Sequence, residues 1–146
     1  MNIFATRKAT LQDAGAIAQM ATEMGYRTTA QQCLIRLKAL LQIPEHRVLV
    51  ACDALSIPVG WIHVYISYSV ESDPFAEIGG LVVTEEYRKN GLGTMLIKEV
   101  EQWVHKSGVK KLRVRHRTDR QGVLSFYESC GFSLSKQQNV LDKIVS

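Results

Sequence analysis

The fold is decided by one stretch of sequence, Leu81-Val82-Val83-Thr84-Glu85-Glu86-Tyr87-Arg88-Lys89-Asn90-Gly91-Leu92-Gly93-Thr94. It begins with an apolar run typical of a strand, continues through a polar turn and enters a long helical pattern. The first N–H groups of a helix have no partners within the helix and lie at the positive end of its dipole. Glycines let an anion approach them closely, and Arg88 and Lys89 add positive charge. The stretch therefore predicts a phosphate-binding turn.

Two common phosphate-binding motifs do not fit this turn. A Walker A loop requires a lysine between its last glycine and the following Ser or Thr, whereas Gly93 is followed directly by Thr94. A dinucleotide-binding fingerprint requires a third glycine three residues after the second, and Leu96 stands there. The turn therefore belongs to a different kind of anion site.

Hydrophobic periodicity places the other elements around this turn. It predicts strands over residues 2–8, 48–52, 59–68, 75–83 and 109–115, helices over 11–24, 29–42, 91–107 and 122–130, and one or two closing strands over 132–145. Three successive strands before the long helix favour antiparallel pairing, whereas the strand-helix-strand unit at 75–115 favours a parallel pair. The fold class is therefore α/β (α+β), with a mixed, mostly antiparallel sheet and helices on both faces. Gly79 and Gly80 indicate either a bulge in a strand or a close approach by another backbone.

Length and composition limit the number of domains, the cellular location and the metal content that can be expected. The chain has 146 residues, 46% hydrophobic and 22% charged, which is typical of one globular domain spanning residues 1–146. It has no apolar run long enough to span a membrane and no signal-peptide pattern, so a cytoplasmic protein is expected. Its three cysteines and four histidines lack metal-ligand spacing, so no metal is expected, and the histidines are interpreted as surface or internally satisfied residues.

The net charge of +4 includes a basic stretch at 110–120. Such a stretch indicates an anionic ligand or a nucleic acid. Residues 109–121 contain no aromatic side chain besides His116, which disfavours base stacking. Nucleic acid is therefore not the expected partner, although a nucleic-acid-binding module remains an alternative.

Two motifs in this order resemble the GNAT superfamily of N-acetyltransferases. The first, Arg88-Lys89-Asn90-Gly91-Leu92-Gly93, resembles the family's Arg/Gln-x-x-Gly-x-Gly/Ala signature. The second, Phe126-Tyr127-Glu128-Ser129-Cys130-Gly131-Phe132, resembles its aromatic-tyrosine-acid run before Gly-Phe. The resemblance implies direct transfer of an acetyl group from acetyl-CoA to a primary amine, carried by a small molecule or a peptide, within a ternary complex.

The resemblance also implies where the co-substrate binds. The diphosphate of coenzyme A would lie on the turn, and the pantetheine arm would run beside the preceding strand, where that strand splays from its parallel neighbour. The thioester carbonyl would meet an N–H near Val82 or Val83. The implied cofactor-binding residues are Leu81, Val82, Val83, Arg88, Lys89, Asn90, Gly91, Leu92, Gly93, Thr94 and Arg120.

Two residues carry the implied catalytic roles. Tyr127 matches the general acid that protonates the departing thiolate. Glu77 is a candidate general base, with a solvated strand-end residue and a water-relayed proton as alternatives, because relatives often carry the acid nearer the position of Gly79. Arg120 replaces a commonly found asparagine, so it would contact a phosphate or an anionic acceptor. A non-catalytic acetyl-CoA sensor is a further alternative, and a homodimer is an expectation from the family alone.

Overall fold

The computed structural model describes residues 3–146, which divide into two compact units, one up to Arg115 and one over His116–Ser146. The first unit contains a five-stranded sheet in the order β1-β2-β3-β4-β5. Its strands are β1 (Ala5–Lys8), β2 (His46–Cys52), β3 (Pro58–Ser67), β4 (Phe75–Val83) and β5 (Leu112–Val114). The first three pairings are antiparallel and β4 pairs with β5 in parallel, so the predicted fold class is confirmed.

Helices cover both faces of this sheet. Helices α1 (Ala14–Glu23) and α2 (Ala30–Leu40) bury Ile17 and Leu37 against Val48 and Val50 of β2. Helix α3 (Leu92–Lys106) lies on the opposite face, where a Cβ built on Gly60 of β3 would lie 3.5 Å from Cδ1 of Leu96. The central strands β2, β3 and β4 therefore carry the buried residues of both faces.

The first helix starts later than the sequence predicts. Residues Leu11–Asp13 form a 3-10 turn, and the α-helix begins at Ala14. The buried Asp13 carboxylate accepts hydrogen bonds from the Thr10 N–H at 2.7 Å and from Arg7 of β1 at 2.8 Å. The hydrogen bond from Arg7 lowers the pKa of Asp13 below its usual value. This ion pair ties the first strand to the helix that follows it.

A β-bulge interrupts the pairing of β3 with β4, as the two glycines predict. His63 pairs with Gly80 and Val64 pairs with Ile78, so Gly79 is the extra residue. A Cβ on Gly79 would lie 2.9 Å from Nδ1 of His63, and a Cβ on Gly80 would lie 2.9 Å from the Trp61 ring. Real Cβ atoms essentially never make such short contacts, so a side chain at either position would require the His63 or the Trp61 ring to move.

The parallel pair diverges soon after it forms. β4 pairs with β5 only at Ala76–Ile78, because β5 is three residues long rather than the predicted span of 109–115. Within residues 3–146, no strand pairs with this side of residues 79–83. The backbone of β4 therefore presents an unpaired edge on its way to the turn that opens α3.

The second unit contains helix α4 (Val123–Ser129), near the predicted span of 122–130. The ring of Tyr127 makes edge contacts with Phe126 and Phe132 at centroid distances of 5.1 and 5.4 Å. The predicted closing strands over 132–145 are wrong, since residues 132–146 form no strand. The apolar residues that suggested them, among them Val140 and Ile144, are exposed, so no alternating pattern is buried there.

Among residues 3–146, no helix combines the length and apolar character required to cross a lipid bilayer.

Candidate functional site

The turn that opens α3 has the backbone geometry of an anion site. A 3-10 turn at Glu85–Tyr87 follows β4, and Gly91 at φ 80° leads into the first residue of α3. Lys89 also has a positive φ of 69°. Gly91 is exposed, and a Cβ there would meet nothing within 4 Å, so its left-handed backbone rather than crowding requires glycine. Exposed backbone and the positive end of a fifteen-residue helix coincide at this turn.

Arg88 braces the turn from the side. Its Nε donates to the carbonyl oxygen of Val83 at 3.1 Å, and Nη2 lies 2.8 Å from Sδ of Met24, just beyond the end of α1. The guanidinium thus folds back across the end of β4 while remaining exposed. Arg88 therefore fixes the start of the turn and keeps a positive charge beside it.

The direction of the β4 N–H groups follows from one hydrogen bond. The N–H of Thr84 donates to Val59 of β3 at 3.0 Å. Because N–H groups alternate along a strand, the N–H of Val82 also points toward β3, whereas those of Leu81 and Val83 point toward the unpaired edge. Two of the three strand residues that the sequence assigns to the co-substrate thus face the space left by β5.

Glu77 lies at the start of this edge, in a polar cluster. Its buried carboxylate accepts hydrogen bonds from the Tyr65 hydroxyl at 2.9 Å and from Nε of Arg115 at 3.1 Å. Burial raises the pKa of Tyr65, and the hydrogen bond to Glu77 raises it further. Glu77 is therefore not the solvated strand-end residue that the sequence left as an alternative, and its predicted role as a base stays a prediction.

The structure brings together two histidines that the sequence left scattered. Nδ1 of His46 on β2 and Nε2 of His63 on β3 share a hydrogen bond of 2.9 Å. His46 also stacks on His63 and on Tyr65, with ring centroids 5.1 and 5.2 Å away. The register of the β2–β3 hairpin creates this pair, because His46 lies opposite Tyr65. No sequence motif predicts this histidine pair.

The other ring nitrogen of His63 faces the bulge. Nδ1 lies 2.9 Å from the point where residue 79 would carry its Cβ, and Gly79 itself is exposed. The imidazole therefore fills the space of a side chain at position 79. Burial is the larger cause, and the neighbouring His46 the smaller cause, of a pKa of His63 that is lowered to about 4. The ring is therefore neutral at pH 7.

This depressed pKa predicts a pH dependence of stability. The unfolded chain binds a proton at His63 near pH 6.5 and the folded chain only near pH 4. Stability from this group is complete above pH 6.5 and is lost as the pH falls toward 4. The side chain is partly exposed, so the expected loss is about 1–2 kcal/mol rather than the full conversion of the shift.

Urea unfolding at pH 7.5, 5.5 and 4.5 measures this loss, with His63→Gln as the comparison. The variant should lose less stability over this range than the parent. Asp13 does not confound the test, because the stability that it supplies is present above its unfolded pKa of 3.8 and is lost below that pH. Equal losses in both proteins would contradict the assignment.

The two remaining predicted site residues lie in the second unit. Tyr127 is buried on α4 among its aromatic neighbours. Arg120 is half-buried in the turn before α4, and its N–H donates to the carbonyl of Arg117 at 3.2 Å. The predicted roles of both residues stay predictions.

Known proteins resemble this chain in sequence and in fold. The sequence is 28% identical over 130 residues to an aminoglycoside N(6')-acetyltransferase type 1 from Stenotrophomonas maltophilia, a match covering 86% of this chain and 84% of that protein. The fold matches an aminoglycoside 6'-N-acetyltransferase from Acinetobacter baumannii with a TM-score of 0.86 and 16% identity, covering 98% of this chain and 99% of that one. It matches AAC(6')-Iy in complex with the bisubstrate analogue CoA-S-monomethyl-acetylneamine with a TM-score of 0.86 and 15% identity, covering 99% and 100% of the two chains.

A family model, Acetyltransferase (GNAT) family, matches residues 15–132, which include both motifs of the sequence. The predicted enzyme class, an acetyltransferase that uses acetyl-CoA as co-substrate, is confirmed with it. By this match the chain belongs to the GNAT family of acetyltransferases.

Proposed function

We propose that this enzyme transfers the acetyl group of acetyl-CoA directly to a primary amine of a small molecule. The observation that carries the proposal is the unpaired edge of β4, which leads without interruption to the turn at the positive end of α3. An extended amide-containing ligand can pair with such an edge as an added strand. A diphosphate suits the turn, where a helix N-terminus and basic side chains meet.

The residues present fit coenzyme A in chemistry and in order. The turn residues Arg88, Lys89, Asn90, Gly91, Leu92, Gly93 and Thr94 would hold the diphosphate. The outward N–H groups of Val83 and Leu81 would then pair with the pantetheine arm and the thioester carbonyl, with Val82 supporting the strand between them.

The chemistry requires charge stabilisation and two proton movements. As the amine attacks the thioester carbon, the carbonyl oxygen gains negative charge, which the Leu81 N–H would stabilise. The C–S bond then breaks, and Tyr127 would give its proton to the thiolate of coenzyme A. The amine must lose a proton to a base or to water, for which Glu77 is the predicted residue. Its carboxylate already accepts bonds from Tyr65 and Arg115, which favours a water-relayed path.

Aminoglycosides are the first acceptors to test. The curated relative and two of the matching structures described above are named for them or bound to a derivative of neamine. Arg120 is the residue predicted to contact a phosphate or an anionic acceptor. An amine that also carries an anionic group is therefore a second acceptor class to include.

The test is acetyl transfer by the purified protein with acetyl-CoA and a panel of amines, monitored by release of free thiol. The panel contains aminoglycosides, amino sugars, amino acids, polyamines and short peptides. Thiol release that depends on a small-molecule amine supports the proposal and names the acceptor class. Release with peptides alone contradicts the small-molecule assignment. Binding of acetyl-CoA without release to any amine supports a sensor instead.

Replacing Tyr127 with phenylalanine is expected to lower kcat about 100-fold, because the thiolate would leave without its proton donor. The change removes one oxygen and keeps the ring that contacts Phe126 and Phe132, so the fold should persist. Steady-state kinetics measure kcat, and calorimetric titration measures acetyl-CoA affinity, which should remain within a few-fold of the parent. Unchanged kcat would remove the assignment of Tyr127 as the acid.

A further inference from the structure

We propose that His63 is the catalytic base of this enzyme and that His46 receives the proton from it. The inference rests on the proposed function, because it assigns the proton acceptor for the amine at the same site. It begins from the exposed bulge in β4, where Gly79 leaves a position without a side chain. Nδ1 of His63 lies 2.9 Å from the point where that side chain would begin.

The location of the bulge matches the path of the substrates. The diphosphate turn lies beyond the C-terminal end of β4, so a pantetheine arm that follows the strand runs back from Val83 toward Gly79. The N–H of Leu81 is the outward donor nearest the bulge on the unpaired part of this edge. A thioester held there is attacked by an amine that lies next to Gly79, beside Nδ1 of His63. α1 and α2 pack on this face of the sheet. An acceptor beside Gly79 would therefore lie on the face that these helices cover.

The histidine pair provides a complete path for the proton. In the neutral state, His63 carries its proton on Nε2 and donates it to Nδ1 of His46, across the observed 2.9 Å. As the C–N bond forms and the amine nitrogen becomes acidic, Nδ1 of His63 accepts the amine proton. The Nε2 proton of His63 then passes to Nδ1 of His46. His46 releases its own Nε2 proton to water, since it lines an open surface depression with Lys8 and Arg47.

The charged and titratable groups around His63 disfavour a protonated ring, so a proton that it accepts passes on to His46. His46 faces this ring from β2, Tyr65 lies beside it on β3, and Glu77 on β4 is neutralised by Arg115, which directly follows β5. The single ionisable residue of α1, Glu23, is exposed. Burial and His46 both disfavour a charged His63. The ring therefore stays neutral and ready to accept at pH 7, and it passes the charge outward to His46.

The test uses His63→Gln, which retains a polar side chain but cannot carry a proton through a ring. With the best acceptor from the amine panel, kcat is expected to fall at least about 100-fold, while acetyl-CoA affinity by calorimetry stays within a few-fold. His46→Gln should lower kcat about tenfold and shift the acid limb of the pH–rate profile. The control His105→Gln changes an exposed histidine on α3 and should leave kcat and the pH profile unchanged.

Nitrogen NMR of the imidazoles gives a readout that needs no turnover. At pH 7, His63 should be neutral with its proton on Nε2, and this tautomer should change in His46→Gln. A proton on Nδ1 would overturn the proposal, as would an active His63→Gln enzyme with an unaltered pH profile. Glu77 is the rival candidate for the base, and Glu77→Gln tests it. A larger loss of kcat in Glu77→Gln than in His63→Gln would also overturn the proposal. A parent enzyme that acetylates no amine refutes the proposed function itself, and this inference with it.

Discussion

Replacing Gly93 with glutamate is expected to weaken acetyl-CoA binding at least about 100-fold without destabilising the protein. Gly93 is the second residue of α3, where the proposed diphosphate meets the helix N-terminus. A carboxylate about 6 Å from one phosphate charge costs about 2.8 kcal/mol at an effective dielectric constant near 20. Since about 1.4 kcal/mol corresponds to a tenfold change, this charge alone accounts for the expected loss.

The same substitution should raise the free energy of unfolding. Glycine in a helix costs about 0.5–1 kcal/mol relative to better helix formers, and an acidic side chain near the N-terminus adds about 0.3–1 kcal/mol. A variant that is more stable but does not bind the co-substrate separates the function of the turn from its folding. Calorimetric titration with acetyl-CoA and urea unfolding measure the two effects independently.

Gly15 provides a matched control. It is the second residue of α1, as Gly93 is of α3, and a Cβ on it would meet nothing within 4 Å. Gly15→Glu should therefore stabilise the protein similarly and leave acetyl-CoA affinity unchanged. Parent-like binding by Gly93→Glu would instead place the diphosphate away from the α3 turn, and the proposed positions of the pantetheine arm and thioester would fail with it.

The sequence predicts best where a strong local pattern is also buried. β4 spans the predicted residues 75–83, and α3 differs from the predicted 91–107 by one residue at each end. Both elements alternate or repeat apolar residues against the same core, so local preference and tertiary packing agree. The bulge was also predictable, because glycine inside a strand pattern often marks a bulge or a close approach of another group.

The sequence predicts less well where the outcome depends on partners. The exposed Val140 and Ile144 have the β-branched character of strand residues, yet residues 132–146 form no strand. β-Propensity mainly reflects packing on neighbouring strands, so it does not create a strand where a segment stays exposed.

The histidine pair depends on long-range register in the same way. His46 and His63 are 17 residues apart, and they meet because the turn between β2 and β3 fixes the alignment of the two strands. In that turn the Asp53 N–H donates to Ile57 at 2.9 Å, and the Asp53 carboxylate accepts from Leu55 and Ile57. A shift of one residue in this hairpin would move one histidine to the other face of the sheet. Periodicity does not reveal such a pair before the register is known.

Replacing Leu96 with alanine is expected to lower the free energy of unfolding by about 2–5 kcal/mol. Leu96 is fully buried on α3 and lies against Gly60 of β3, where the missing side chain leaves room for it. Alanine would leave a cavity between helix and sheet that glycine cannot fill. The matched control is Leu55→Ala in the β2–β3 turn, where the side chain is 79% exposed and the loss should stay below about 0.5 kcal/mol.

This variant also tests whether helix packing and co-substrate binding are separable. Leu96 lies about one turn beyond the proposed diphosphate site, and Leu92, Ile97 and Val100 remain to hold the helix on the sheet. Saturating acetyl-CoA should therefore stabilise Leu96→Ala and the parent by nearly equal free energies, since the increment depends only on ligand concentration and Kd. A clearly smaller increment in Leu96→Ala would show that the turn needs tight packing of α3 to bind the diphosphate. Equal increments would show that the backbone of the turn and its flanking charges are sufficient.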